Sequence, residues 1–117
     1  MNLLSSIFGA SLPSLTPLEL SEKLKGAKQA IVIDVRQPEE YREGHIAGSK
    51  LMPLGELNKR INELPRDKEI ICVCASGSRS HSATKILISA GLNAFDMKGG
   101  MFMWQRSRLP MKKGNAA

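Results

Sequence analysis

Residues 70–80 read Ile-Ile-Cys-Val-Cys-Ala-Ser-Gly-Ser-Arg-Ser, and this stretch indicates both the fold class and the place to look for function. Its first part is short, apolar and rich in β-branched residues, which predicts a buried strand over residues 69–73. Small residues follow as a loop, and an apolar stripe at helical spacing then predicts a helix over residues 79–90. A buried strand, a short loop and a helix form the repeating unit of a parallel α/β sheet.

The same alternation of strands and helices continues on both sides of this stretch. Thr16, Pro17 and Glu19 form a helix start, and Gly26 ends that helix. The remaining predicted elements are a buried strand at 30–35, a short helix at 38–43, a strand at 50–52, a helix at 54–64, a strand at 93–97 and a short helix at 101–106. The sequence therefore predicts an α/β domain with a mostly parallel sheet.

Length and composition fit one soluble domain of 117 residues, with 42% hydrophobic and 24% charged residues. We expect a flexible N-terminal arm at residues 1–12, the folded domain at 13–111 and a basic, solvated tail at 112–117. No apolar run approaches the roughly 20 residues that cross a membrane. The N-terminal residues lack the basic start of a secretory signal, so we expect a cytoplasmic monomer with reduced cysteines.

The net charge of +6 arises entirely in the C-terminal part of the chain. Residues 1–69 carry ten basic and ten acidic side chains, whereas residues 70–117 carry seven basic side chains and a single acid, Asp96. Such a field favours an anionic ligand or partner. The basic residues are scattered and Trp104 is the only tryptophan, so no nucleic-acid partner is expected.

Cys74 is the candidate nucleophile because of where it lies in the predicted fold. It follows a buried strand, at the sheet edge where α/β proteins bind ligands. The next helix begins a few residues later, and the free N–H groups and dipole of its N-terminus stabilise a thiolate. The rest of the loop is small apart from one fixed cation, and it consists of Ala75, Ser76, Gly77, Ser78 and Arg79.

The pattern Cys74-x-x-Gly77-x-Arg79-Ser80 resembles the active-site loop of the rhodanese sulfurtransferases. Further blocks match that family in the expected order: Asp-Val-Arg-Gln-Pro-Glu-Glu-Tyr at 34–41, Gly-His-Ile-Ala-Gly-Ser at 44–49, Gly-Gly at 99–100 with Trp104, and Leu-Pro at 109–110. The resemblance implies a rhodanese-like three-layer domain, with a mostly parallel sheet of about five strands flanked by helices.

The resemblance also implies a sulfurtransferase. Cys74 would take a sulfane sulfur from thiosulfate or a persulfide donor and pass it to cyanide or a thiol, including the thiol of a protein partner. Residues 75–79 would bind the anionic donor, with Arg79 anchoring a sulfonate, while Asp34, Arg36 and Ser80 would support the loop. No cofactor or metal is implied. Many relatives have a basic or polar residue directly after the cysteine, whereas Ala75 and Ser76 leave Arg79 as the only charge in this loop, so a persulfide donor stays open beside thiosulfate.

The other residues that could react or bind a metal are interpreted as structural. Cys72 is interpreted as a core residue, because a disulfide between positions i and i+2 of a strand would be strained. Apart from the two cysteines, the only histidines that could bind zinc are His45 and His81. This is a poor set of ligands, so no metal site is expected. We interpret His45 as a loop histidine whose hydrogen bonds are satisfied, and His81 as a solvated helix residue.

Two alternative functions remain open from the sequence. A cysteine phosphatase or arsenate reductase has one residue more between its cysteine and arginine than the four that separate Cys74 from Arg79. The shorter loop predicts a smaller ring of N–H groups, which fits a single sulfur better than a tetrahedral phosphate. A non-catalytic rhodanese-fold interaction module is the other alternative, and such modules typically lack the cysteine that is present here.

Overall fold

A computed structural model describes residues 12–26 and 30–117. The elements in chain order are β1 (Ser14–Leu15), α1 (Pro17–Gly26), β2 (Ala30–Asp34), α2 (Pro38–Glu43), β3 (Lys50–Leu51), α3 (Leu57–Arg60), β4 (Glu69–Val73), α4 (Ser78–Ser89), β5 (Asn93–Met97) and α5 (Gly100–Arg106). The expected N-terminal arm at residues 1–12 lies, apart from Leu12, outside the described residues.

The strands form one five-stranded sheet in the order β1-β5-β4-β2-β3, and every neighbouring pair is parallel. Strand β4 lies at the centre, where Ile71 is opposite Val32 of β2 and Phe95 of β5. A helix connects each strand to the next, as parallel pairing requires. The predicted α/β fold is confirmed.

Helices cover both faces of the sheet, so the domain has three layers. Along β4, Ile70 and Cys72 join the core cluster that contains Leu87 of α4 and residues of α3. The intervening Ile71 joins the opposite cluster, which contains Trp104 of α5 and residues of α1. Alternate residues of a strand point to opposite faces, which explains why β4 is apolar from Ile70 to Val73.

Two parts of the chain differ from the sequence-based expectation. The two-residue strand β1 has no hydrophobic period of its own and was not predicted. The segment 54–64 was predicted as one helix, but it forms the short helix α3 between 3-10 turns at Leu54–Glu56 and Ile61–Glu63. The amide of Leu54 donates to Val35 O at 3.0 Å, and Gly55 weakens helix formation beside it, so the apolar spacing is met by three short turns.

Residues 112–117 keep mostly exposed side chains, yet their backbone is bonded to the domain. Lys112 exchanges two backbone hydrogen bonds with His45, at 2.9 and 2.8 Å, and Gly114 donates to Arg42 O at 2.9 Å. Among the helices of the described residues, none has the length and apolar character that crossing a bilayer needs.

Candidate active site

The candidate site lies at the carboxyl end of the central strand β4. Cys74 follows this strand and is fully buried. The backbone turns at Gly77, whose φ of 113° lies in the left-handed region that glycine adopts without strain. This turn aims the Gly77 N–H at Cys74 Sγ, at 3.0 Å. The sulfur therefore accepts a backbone hydrogen bond directly before the twelve-residue helix α4. Of the other loop residues, Ala75 is half-buried, while Ser76 and Ser78 are exposed.

Helix α5 holds this loop through its backbone. The N–H groups of Met101 and Phe102 donate to Cys74 O at 2.8 Å and to Ala75 O at 3.0 Å. A Cβ added to Gly100, which has a φ of +60°, would lie only 2.4 Å from Ala75 O. A glycine is therefore required for this close approach, which gives the Gly-Gly pair at 99–100 a structural reason.

Ser80 and Asp96 lie next to the thiol on the side of the helix. Ser80 Oγ is 3.4 Å from Cys74 Sγ, and its hydroxyl donates to Asp96 Oδ1 at 2.5 Å. Burial raises the pKa of the Asp96 carboxyl, while the hydrogen bond from Ser80 lowers it. Ser80 was predicted from the sequence as a supporting residue, whereas Asp96 was not predicted as a site residue. The available signal was an acid, the only one in residues 70–117, at an inner position of a predicted strand.

Arg79 lies at the start of α4, but its guanidinium is bound by a carboxylate. Nη1 and Nη2 donate to Glu40 Oε1 and Oε2 at 2.7 and 2.8 Å. These hydrogen bonds lower the pKa of Glu40 to about 2 and raise that of Arg79. The expected fixed cation is therefore present, but its charge is compensated, and the pair ties α4 to α2. Sequence reasoning missed Glu40, which lies within one of the matching blocks.

Asp34 and Arg36 form a buried ion pair at the end of β2. The guanidinium donates from Nε to Asp34 Oδ1 at 2.9 Å and from Nη2 to Asp34 Oδ2 at 2.6 Å. Nη2 also donates to Gly44 O at 2.8 Å. This pair links the end of β2 to the chain after α2, and the expected support of the Cys74 loop by these two residues stays a prediction.

Cys72 and His45 have the structural surroundings expected of them. Burial raises the pKa of the Cys72 thiol to about 12, so it stays a neutral core group. The ring of His45 is buried and stacked on Tyr41, and its nitrogens lie 2.8 Å from Tyr41 O and Ala116 O. His81 is exposed on α4, as expected. Both cysteines are free, and within the described ranges no cluster of His, Cys, Asp or Glu could hold a metal ion.

The chain belongs to the rhodanese-like domain family, whose model matches residues 16–107. It is 30% identical over 93 residues to a sulfurtransferase from Allochromatium vinosum, which covers 79% of this chain and 87% of that protein. It is 33% identical over 91 residues to the putative sulfurtransferase YtwF of Bacillus subtilis, covering 78% and 88%. A rhodanese-related protein from Thermoplasma volcanium has a similar structure, with a TM-score of 0.80, 36% identity and coverage of 86% and 97%. The family predicted from the sequence is confirmed.

Proposed function

We propose that the protein is a rhodanese-type sulfurtransferase that carries a sulfane sulfur on Cys74. The observation that carries this proposal is the Cys74 sulfur at the carboxyl end of β4, with the Gly77 N–H on it and the N-terminus of α4 beside it. Such surroundings stabilise negative charge on sulfur. Membership of the family, and relatives named sulfurtransferases at 30% and 33% identity, support the same reaction class.

In the proposed cycle, sulfur moves in two displacement steps. The Cys74 thiolate attacks the sulfane sulfur of the donor, the donor S–S bond breaks, and sulfite leaves with the bonding pair when the donor is thiosulfate. Cys74 is then a persulfide. Cyanide or a thiolate attacks the outer sulfur, the enzyme S–S bond breaks, and Cys74 leaves as the thiolate. One sulfur atom thus moves from the donor to the acceptor, and no further oxidant or reductant is needed.

Charge around the loop favours a donor with little negative charge. Glu40 compensates Arg79, which leaves the loop N–H groups and the α4 N-terminus to bind a donor anion. A persulfide carries less charge than thiosulfate, so we propose a persulfide as the better donor and thiosulfate as a usable one. We place the reaction in the cytoplasm, where reducing conditions keep Cys74 available, with a small thiol or a protein thiol as acceptor.

Mass spectrometry after incubation with thiosulfate tests the proposal directly. We expect one added sulfur atom that maps to Cys74 and disappears on addition of cyanide, because only this thiol lies in the loop. Cys74→Ser should lose the adduct and all turnover. Cys72→Ser is the matched control, and it should keep both. An adduct on Cys72, or turnover that survives in Cys74→Ser, would refute the assignment.

Hydrolysis of aryl phosphates separates the sulfurtransferase from the phosphatase alternative. The four-residue spacing between Cys74 and Arg79 and the compensated Arg79 both disfavour binding of a phosphate dianion. The wild-type protein should therefore show negligible hydrolysis of aryl phosphates. Robust hydrolysis that is lost in Cys74→Ser would favour the phosphatase instead.

A further inference from the structure

We propose that Asp96 sets the protonation of Cys74 through the hydroxyl of Ser80, so that the carboxyl and the thiol share a single negative charge. Asp96 is a positioning residue in this proposal, because it acts on the sulfur only through Ser80. The inference rests on the proposed function, in which Cys74 is the reacting thiol. Its test measures the reactivity of the Cys74 thiol directly and does not require sulfur transfer.

The Ser80 hydroxyl has a single proton to donate. Ser80 Oγ lies 2.5 Å from Asp96 Oδ1 and 3.4 Å from Cys74 Sγ. A third acceptor, Gly77 O, lies 3.1 Å away, but it is uncharged and farther than the carboxylate. One hydroxyl proton cannot serve the carboxylate and the sulfur at once.

Two proton arrangements follow from this geometry. When Asp96 is ionised, it takes the Ser80 proton, and Ser80 Oγ then offers a lone pair that accepts the S–H of Cys74. When Cys74 is ionised, Ser80 must donate to the thiolate instead. Asp96 then loses its donor, and it is satisfied as a carboxylic acid that donates to Ser80 Oγ. Transfer of one proton from Cys74 to Ser80, and of another from Ser80 to Asp96, converts the first arrangement into the second.

Because Asp96 is buried, its protonation in this exchange is more favourable than protonation of a solvated carboxylate would be. Cys74 and Ser80 are fully buried, and Asp96 is only 9% exposed. Burial raises the pKa of Asp96, which lowers the cost of placing a proton there. Two negative charges joined by one hydroxyl in such surroundings would repel each other strongly.

The titratable and charged groups around Cys74 and Asp96 do not remove the coupling between these two residues. Cys72, on β4, is a neutral thiol with its pKa raised to about 12. Cys74 contributes by charge to the raised pKa of Arg79, and Glu40 binds the Arg79 guanidinium. On the other side, His81 and Lys98 line a pocket with Asp96, and His81 lowers the pKa of Asp96.

Among the described residues, that pocket gives Asp96 a path for protons to water. It has a volume of about 190 Å³ and is lined by Leu12, Ser14, His81, Asp96 and Lys98. A proton that leaves Cys74 can therefore reach solvent through Ser80 and Asp96 while a sulfur donor occupies the loop. During sulfur release the same path returns a proton to the Cys74 thiolate as it leaves the persulfide.

The test is the pH dependence of Cys74 alkylation by iodoacetamide, followed at the Cys74 peptide by mass spectrometry. Asp96→Asn should lower the pH of half-maximal alkylation by about one unit, which is about tenfold in rate below the midpoint. The reason is that an amide claims the Ser80 proton less strongly than a carboxylate does. Asp96→Glu retains the carboxylate and should restore the midpoint toward that of the wild type.

A double-mutant cycle isolates the role of the hydroxyl. In a Ser80→Ala background, Asp96→Asn should shift the midpoint by less than about a third as much as it does alone. An unchanged midpoint in Asp96→Asn, or an equal shift in both backgrounds, would overturn the proposal, because the charge would then act without Ser80. Alkylation needs no sulfur donor, so a protein without sulfurtransferase activity would still give a decisive result.

A titration of the wild-type protein tests the proposal even if the variants fail to fold. The ¹³C resonance of the Asp96 carboxyl should show a second inflection at the pH where Cys74 becomes reactive, because coupled groups titrate together. A single inflection that does not coincide with Cys74 reactivity would overturn the proposal.

Discussion

At the level of single residues, the contact between Arg79 and Glu40 decides how much positive charge the loop offers. The two side chains are 33% and 34% exposed, so water screens their attraction and the pair adds little stability. Its two parallel hydrogen bonds instead fix the direction of the guanidinium. Glu40 thus competes with any anion for the only arginine of the loop.

We expect Glu40→Gln to lower the KM for thiosulfate about fivefold, which corresponds to about 1 kcal/mol, with a smaller change in kcat. The amide removes the compensating charge. It keeps an oxygen that can accept the hydrogen bond that the Gln37 N–H donates to Glu40. Formation of thiocyanate from thiosulfate and cyanide measures both constants. Glu39→Gln is the matched control, because it removes an equal charge from an exposed position on the same helix. Equal KM values for the two variants would show that Arg79 does not bind the donor.

How far the sequence predicted the site also depends on single residues. Cys74 and its loop could be predicted because strand, loop and helix follow one another in the chain. The partners of that loop could not, since Glu40 lies 39 residues from Arg79 and Asp96 lies 16 residues from Ser80. Such contacts depend on the order of strands in the sheet, which the local pattern of the chain does not contain.

At the level of elements, the loop after β4 is held between two helices. Helix α4 continues from it, and the first N–H groups of α5 bind its carbonyl oxygens. The strands β2 and β4 were predictable because each is a short run of mainly apolar, β-branched residues. Strand β5 was also predicted, although it contains Asn93 and Asp96. The two-residue β1 was not, because its pairing with β5 and not its composition makes it a strand.

The approach of α5 to the loop predicts a strong effect of Gly100→Ala. The added Cβ would lie 2.4 Å from Ala75 O, so α5 must move and the loop loses its hydrogen bonds. We expect sulfur transfer to fall more than about tenfold and the free energy of unfolding to fall by about 1–3 kcal/mol. Thiocyanate formation and thermal unfolding measure the two effects.

Gly48→Ala controls for backbone strain alone, because Gly48 also has a positive φ, of +84°, yet a Cβ there would meet nothing within 4 Å. This variant should lose some stability and keep its activity. If the two variants lose activity equally, the contact between Gly100 and the loop does not position the site.

At the level of the whole molecule, the part of the chain that contains Cys74 carries the surplus positive charge. All six surplus positive charges come from residues 70–117, and the one acid in that part, Asp96, is buried against Ser80. The charged side chains that residues 70–117 expose are therefore basic, and the exposed Lys98 and Arg106 lie in or next to α5, which holds the loop. Such a field raises the local concentration of anions.

We expect kcat/KM for thiosulfate to fall about two- to fivefold as the salt concentration rises from about 10 mM to about 150 mM, where the Debye length falls from about 30 to about 8 Å. The value of kcat should change little, because the bound donor is already in the loop. Steady-state kinetics at constant pH measures both constants, and an uncharged sulfur donor is the control. An equal salt dependence for both donors would exclude electrostatic attraction.

The strand position of Cys72 determines how the protein tolerates peroxide. Cys72 lies in β4 and Cys74 follows directly after this strand, and both belong to the same core cluster with one residue between them. A disulfide between such close positions would be strained. The chain has no third cysteine, and a sulfenic acid on Cys74 therefore has no thiol of its own chain to capture it. Further oxidation to the sulfinic acid would be irreversible. A persulfide, by contrast, is oxidised at its outer sulfur, and reduction of the S–S bond then restores the thiol. Under the proposed function, sulfur loading of Cys74 would thus protect the thiol from permanent inactivation.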